Sequence, residues 1–305
     1  MSASGSAVTD YCVFGLRVRS ELPLPELFPA VQDGEPDVII ERGSVIAGAN
    51  GIETRDEALV LAIPDVGRYR IHGGRNILVD ADPGVPDRNL RLFLLGSAFG
   101  ALLHQRGLLP LHANAVEIDG KAFAFMGESG AGKSTLAAWF HDRGHRVISD
   151  DVCVVGFDAE GRAFAAPGLP RLRLWREALE LMGREASGYH RSYVQASEEF
   201  DKFDVPIALG NATTDNMPLA GLYLLERADQ LSLTRLDGVE AADAVFANTY
   251  RGAYVAAAGN QRDHWLSAVK LVRNVPVYRA AREWDLAKLD SQNQMLLEGV
   301  LGRDR

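Results

Sequence analysis

The sequence predicts an α/β protein with a smaller, mostly β segment ahead of the α/β part. Three observations lead there. Residues 1 to about 90 hold short apolar or alternating runs broken by Pro, Gly, Asp and Asn, the pattern of strands and turns. Between residues 122 and 143 a strand-like run, a glycine-rich loop and an amphipathic stretch follow one another. Beyond them, strand-like and helix-like runs alternate to the last residues.

Taken in order, Cys12 to Val18, Asp37 to Glu41, Ala58 to Ile63, Val66 to His72 and Asn76 to Val79 read as strands of a mostly antiparallel domain over residues 1–90. The stretch Asp80-Ala81-Asp82-Pro83-Gly84-Val85-Pro86-Asp87 marks a boundary. Asp87 caps a helix predicted from Arg88 to Arg106 and stopped by Gly107. The second domain covers residues 91–305. His112 to Ile118 and Ala122 to Met126 form a hairpin through Asp119-Gly120. A helix from Lys133 to Arg143 ends at Gly144, and short strands follow at Arg146–Ser149 and Asp151–Phe157. Helices are predicted at Trp175–Met182, Ala241–Thr249, Gln261–Arg273 and Asp285–Leu301. Strands are predicted at Gly221–Leu225, Leu231–Leu236 and Val275–Arg279. Residues 186–204 show no period and read as a mobile loop.

Composition narrows the function. Of 305 residues, 47% are hydrophobic and 24% charged, as in ordinary globular chains. The formal charge of −9 disfavours a phosphate backbone as partner, so no nucleic acid is expected. Cys12 and Cys153 stand far apart and make no CxxC pair, which fits a reducing compartment. No secretory signal opens the sequence, and no run reaches the about 18 apolar residues that span a bilayer. A cytoplasmic protein without a membrane anchor is expected.

Gly127-Glu128-Ser129-Gly130-Ala131-Gly132-Lys133-Ser134 fits G-x-x-x-x-G-K-[ST] at every fixed position, between a strand and a helix. Glycines allow backbone N–H groups to turn inward around phosphate oxygens, and the helix N-terminus adds partial positive charge. Lys133 would reach the outer phosphates and Ser134 would hold Mg²⁺. The alternative is a structural glycine turn. Asp150 and Asp151 follow the strand Val147-Ile148-Ser149, one helix after the loop. As a single β-α-β unit, this places both acids at the carboxyl end of the strand beside the loop. One acid can hold the metal while the other accepts a hydroxyl proton; the alternative is a capped surface turn. His112 heads the strand paired with the loop-feeding strand, where a lone His is commonly structural. None of the other histidines shows metal-ligand spacing.

Three runs together resemble the catalytic domain of HPr kinase/phosphorylase: Leu111-His112-Ala113-Asn114-Ala115-Val116, the loop Gly127 to Ser134, and Arg143-Gly144-His145-Arg146-Val147-Ile148-Ser149-Asp150-Asp151. The resemblance covers about residues 108 to 156. It implies a P-loop kinase domain of the HPr-kinase and phosphoenolpyruvate-carboxykinase type, using a nucleoside triphosphate (ATP or GTP) and Mg²⁺ to phosphorylate a protein serine. It also implies a homo-oligomer, since the HPr enzymes are hexamers. By position it makes Asp150 the base, Asp151 a metal-linked partner with Ser134, and His112 a neighbour of the acceptor hydroxyl. Gly127 to Thr135 hold the triphosphate, with Thr135 standing where the family has Glu. Residues 11–16 (Tyr11-Cys12-Val13-Phe14-Gly15-Leu16), 22–27 and 167–175 differ from the HPr enzymes. They look more like the related kinases of lasso-peptide gene clusters, which act on the C-terminal serine of a ribosomal precursor peptide.

Arg171 and Arg173 share a face if their stretch is extended, and can bind a phosphate or an acidic peptide end, or stand as a solvated pair. Lys202, one of five lysines, is either a phosphate sensor or a surface residue. The expected function is a Mg²⁺- and ATP-dependent serine kinase for a peptide or small protein. The alternatives are an HPr(Ser) kinase/phosphorylase, a small-molecule kinase, and a nucleotide-binding regulatory module without transfer.

Overall fold

A computed structural model describes residues 8–31, 33–46, 51–194, 201–208, 215–285 and 288–304. Strict alternation builds the first sheet. In Leu16–Ser20 and Gly67–His72 every second residue is buried, so each strand turns one face to the core. Eight strands pair in the order Phe28–Pro29, Thr9–Val13, Leu16–Ser20, Val38–Arg42, Asn76–Ala81, Gly67–His72, Ala58–Ile63, Gly51–Arg55. Val38–Arg42 pairs in parallel with both of its neighbours, and the other pairs are antiparallel. The run Cys12 to Val18 is not one strand. It folds back at Phe14 (φ 55°) and Gly15 (φ 72°), the left-handed pair of a tight hairpin turn.

Helix Asp87–Phe93 continues through a π-helical turn, Leu94–Ala98, into Phe99–Gln105, and stops at Gly107 (φ 69°). Its buried Leu90, Leu94, Phe99 and Leu102 join Val18, Ile40 and Ile71 of the first sheet in one apolar cluster. That cluster also takes in Val152 and Val154, next to the acid pair. The sheet therefore packs up to the region of interest.

The second sheet is mixed. Its central strand is Met217–Arg227, parallel to Lys121–Met126 on one side and to Val277–Arg282 on the other. Ala113–Ile118 pairs antiparallel with Lys121–Met126, as the Asp119-Gly120 hairpin predicts. Val147–Ser149 is not beside the loop-feeding strand: it pairs antiparallel with Ala113–Ile118. Both edges of Lys121–Met126 are already taken, by its hairpin partner and by the central strand, so the strand bearing the acids goes one place further out.

A third sheet joins Arg171–Trp175, Lys202–Pro206 and His190–Arg191. Leu172, Leu174, Phe203 and Val205 are buried in the cluster with Leu136, Ala137 and Phe140 of helix Lys133–Asp142. Residues 186–204 are therefore not one aperiodic loop. They contain the turn Ala186–Gly188, the strand His190–Arg191 and the start of Lys202–Pro206, while 195–200 lie outside the described residues. Lys202 stands on a strand. Among the described residues no helix is long and apolar enough to cross a membrane.

Candidate active site

The loop between strand Lys121–Met126 and helix Lys133–Asp142 turns on glycines. A Cβ at Gly127 (φ 148°) would stand 2.9 Å from the Leu225 carbonyl oxygen, and one at Gly132 (φ 78°) 3.1 Å from Arg282 Nη2. Gly132 caps the helix without a side chain, so no side-chain acceptor takes the first-turn N–H groups. The Gly127 N–H donates to Asn248 Oδ1 at 2.9 Å, which ties the loop to the residue after helix Gly238–Ala247. On the other side, Arg282 Nη2 donates to the Ala131 carbonyl at 3.4 Å. Ser129 and Gly130 are exposed at the tip, and Ala131 is buried.

Lys133 is buried and donates to the Gly127 carbonyl at 2.6 Å and the Glu128 carbonyl at 2.9 Å. Burial pulls its pKa down to about 8, although the charges of Asp151 and Asp150 oppose this. Asn114, fully buried, donates from Nδ2 to the Lys133 carbonyl. Thr135 lines a narrow crevice with Arg282 and Trp284.

The two aspartates differ. Asp150 is 5% exposed, and its Oδ2 accepts the Arg173 backbone N–H at 2.7 Å. Burial drives its pKa up to about 6 and Asp151 adds to the rise, while the Arg173 N–H and the Ser134 hydroxyl oppose it. Ser134 is near enough to favour the charged form, yet Asp150 Oδ1 completes no hydrogen bond of normal geometry. Asp151 sits in the left-handed region (φ 73°) with a side chain 32% exposed. Its Oδ2 lies 3.4 Å from Arg173 Nη1, and its Oδ1 3.4 Å from His112 Nδ1. Burial raises the Asp151 pKa, but Arg173, His112, Lys202 and Arg171 outweigh it and the net displacement is downward. One carboxyl is thus poised near neutrality and its neighbour is held ionised, a division that suits acid–base work beside charge stabilisation.

His112 Nδ1 also lies 3.1 Å from the Asp151 carbonyl, and its own N–H donates to Asn248 O at 2.7 Å. Burial and then Lys133 push its pKa down, which favours the neutral ring. A cleft of about 800 Å³ opens beside these groups, bounded by His112, Asp151, Gly127, Tyr250, Arg251 and Trp284. Arg171 and Arg173 share one face of their strand, as the spacing predicts. Both reach Asp204, with Arg171 Nη1 at 3.1 Å and Arg173 Nε at 3.4 Å. Lys202 stacks over Trp175, with its Nζ 4.7 Å from the ring centroid. Burial lowers its pKa against the pull of Asp151.

The chain's own donor set fits a magnesium ion. Ser134, Asp150 and Asp151 carry hard oxygens, and Asp150, near Ser134, leaves its Oδ1 without a hydrogen-bond partner. No group of three or more His, Cys, Asp or Glu suited to a metal occurs among the described residues. Sequence reasoning missed Asn114, Asp204, Asn248, Tyr250, Arg251 and Arg282. Asn114 lies inside the motif run and was available. The others come from distant segments with no local signal, apart from the polar run Asn248-Thr249-Tyr250-Arg251 at a helix end.

No family model matches this chain, and no curated protein matches it. Among solved structures, it is similar to the HPr(Ser) kinase/phosphatase from Coxiella burnetii, at 12% identity and a TM-score of 0.34. That match covers 64% of this chain and 99% of the other. At that score the likeness carries no weight for what this chain does.

Proposed function

We propose that the chain is a Mg²⁺- and ATP-dependent kinase that phosphorylates a serine hydroxyl of a peptide or small protein. One observation supports this above the others. A buried lysine, a helix N-terminus with no side-chain cap, and two aspartates displaced in opposite directions gather around one glycine loop. Phosphoryl transfer needs this set, because catalysis there is mainly positioning and charge stabilisation.

In the proposed mechanism the loop N–H groups of 127–134 and the Lys133 ammonium hold the outer phosphates of ATP in line. Lys133 exchanges the Gly127 and Glu128 carbonyls for phosphate oxygens. Ser134 and Asp151 would hold Mg²⁺, which when bound neutralises charge on the phosphates. Asp150 accepts the hydroxyl proton as the acceptor oxygen forms its bond to the γ-phosphorus and the bond to the β-γ bridging oxygen breaks, leaving ADP. Such base–hydroxyl contacts close only with the acceptor in place. Arg173 holds Asp151 ionised, and neutral His112 fixes it in place. GTP is the alternative donor.

The finer acceptor we propose is the C-terminal serine of a ribosomal precursor peptide of the lasso class. Its support is the character of residues 11–16, 22–27 and 167–175. A homo-oligomer and a cytoplasmic location belong to the same proposal. The test is incubation with labelled ATP, Mg²⁺ and a precursor peptide from the genomic neighbourhood, read by mass spectrometry. The expected gain is about 80 Da on a serine, one transferred phosphoryl group. Nucleotide bound with no label passed to any acceptor would leave a regulatory module. Label on free hydroxy compounds in place of peptides would leave a small-molecule kinase.

A further inference from the structure

The third sheet is amphipathic in an unusual way. One face is the apolar layer against helix Lys133–Asp142. The other presents Arg171, Arg173 and Lys202 with Asp204 as its acid, in a chain that is acidic overall. Asp204 is a shared counter-ion: it accepts from Arg88 Nη2 at 2.8 Å, Arg171 Nη1 at 3.1 Å and Ser192 Oγ at 2.7 Å, with Arg173 Nε at 3.4 Å. Nearby, Arg91 pairs with Glu26 at 2.9 Å. Four guanidiniums thus meet three carboxylates here, Asp204, Glu26 and, through Arg173, Asp151, which leaves one cation uncompensated. Burial, and then the neighbouring Arg173, depress Arg171 to about 10, as expected of a cation short of compensation.

Arg88 and Arg171, which share the single carboxylate of Asp204, face a cavity of about 570 Å³, a size that suits a short peptide segment. Arg88, Arg171, His190, Asp204 and Glu26, the last paired with Arg91, form its polar wall, and Leu27, Phe28 and Ile207 are part of its apolar wall. The cavity and the acid pair lie along a single strand. Arg171 reaches the cavity, and Arg173, two residues on and about 7 Å away, hydrogen-bonds Asp150 through its backbone.

We propose that this cavity anchors the acceptor. It takes a carboxylate carried by the acceptor chain within about two residues of the phosphorylated hydroxyl, chain terminus included, held by Arg88 and Arg171. The inference rests on the kinase reading for the position of the hydroxyl. A carboxylate is the favoured occupant because paired guanidiniums bind it in a fork geometry. The neighbouring apolar wall buries the side chains flanking it, which a free inorganic anion lacks.

The test uses the full chain and fluorescent serine peptides in which one aspartate is walked through four positions on either side of the serine, against an asparagine control. Binding is read by anisotropy and transfer by mass spectrometry. Aspartate one or two residues from the serine should tighten binding at least ten-fold over the control. Arg88→Gln and Arg171→Gln should each reduce that preference below two-fold. Arg88 is a quarter exposed and is the safer change for the fold, and the peptide walk needs no variant at all. A flat walk overturns the proposal, as does a preference that survives both variants. So does inorganic phosphate that binds through Arg88 while acidic and neutral peptides bind alike. Peptides that obey the rule but gain no phosphate would refute the kinase reading and leave the anchor standing. Peptides phosphorylated with no positional preference would do the reverse.

Discussion

On the kinase reading, replacing Asp150 with asparagine should make the fold more stable and sharply reduce phosphate transfer. The carboxyl is buried, one of its oxygens has no hydrogen-bond partner, and its pKa stands at about 6 against an ordinary 3.8. A raised carboxyl pKa means that the folded state holds the proton more tightly than the unfolded chain. The stabilising contribution is therefore complete below 3.8 and is lost as pH rises through about 6. At about 1.4 kcal/mol per pH unit, the charged form at pH 7.5 carries a penalty of about 3 kcal/mol. Roughly half of that is relieved at pH 5, where the folded state is mostly protonated. Asparagine keeps the acceptor for the Arg173 N–H and never ionises. Urea unfolding at the two pH values should find Asp150→Asn more stable than the unaltered chain by up to about 3 kcal/mol at pH 7.5, with roughly half of the gap gone at pH 5. Phosphate transfer should fall by about 10²- to 10⁴-fold, the usual worth of a positioned base. A variant destabilised equally at both pH values would refute the buried-charge assignment, and one that keeps full transfer would refute the base.

Further outcomes follow from the same geometry. The kcat/KM profile should be bell-shaped, rising as Asp150 loses its proton near about 6 and falling as Lys133 loses its proton near about 8; stopped-time assays across pH 5–9 check this. Asp151→Asn should shift activity to higher Mg²⁺ concentrations, and a magnesium titration against the unaltered chain checks this. Asn248→Ala leaves the Gly127 N–H without its acceptor and should cost about 1 kcal/mol of stability, with weaker nucleotide binding by calorimetry. Gly132→Ala forces a side chain into φ 78° and against Arg282, so it should cost about 1–2 kcal/mol and lower the melting temperature.

The glycine loop, its flanking strand and helix, and the acid pair were legible because their signals are local. A left-handed φ favours glycine, a helix must start after it, and acids end a short strand. The hairpin at Asp119-Gly120 and most helices were readable for the same reason. Only the tertiary structure decided that Val147–Ser149 joins the far side of Ala113–Ile118, since edge occupancy is settled by strands distant in sequence. It also put His190–Arg191 and Lys202–Pro206 into a sheet, because Phe203 and Val205 find an apolar layer under them that no local period announces. The unlike pKa values of Asp150 and Asp151 have the same origin. The two residues are chemically identical and adjacent, and only burial on one side and Arg173 and His112 on the other separate them. A sequence names the groups that carry charge, whereas their desolvation and their neighbours, which set proton affinity, exist only once distant segments have packed.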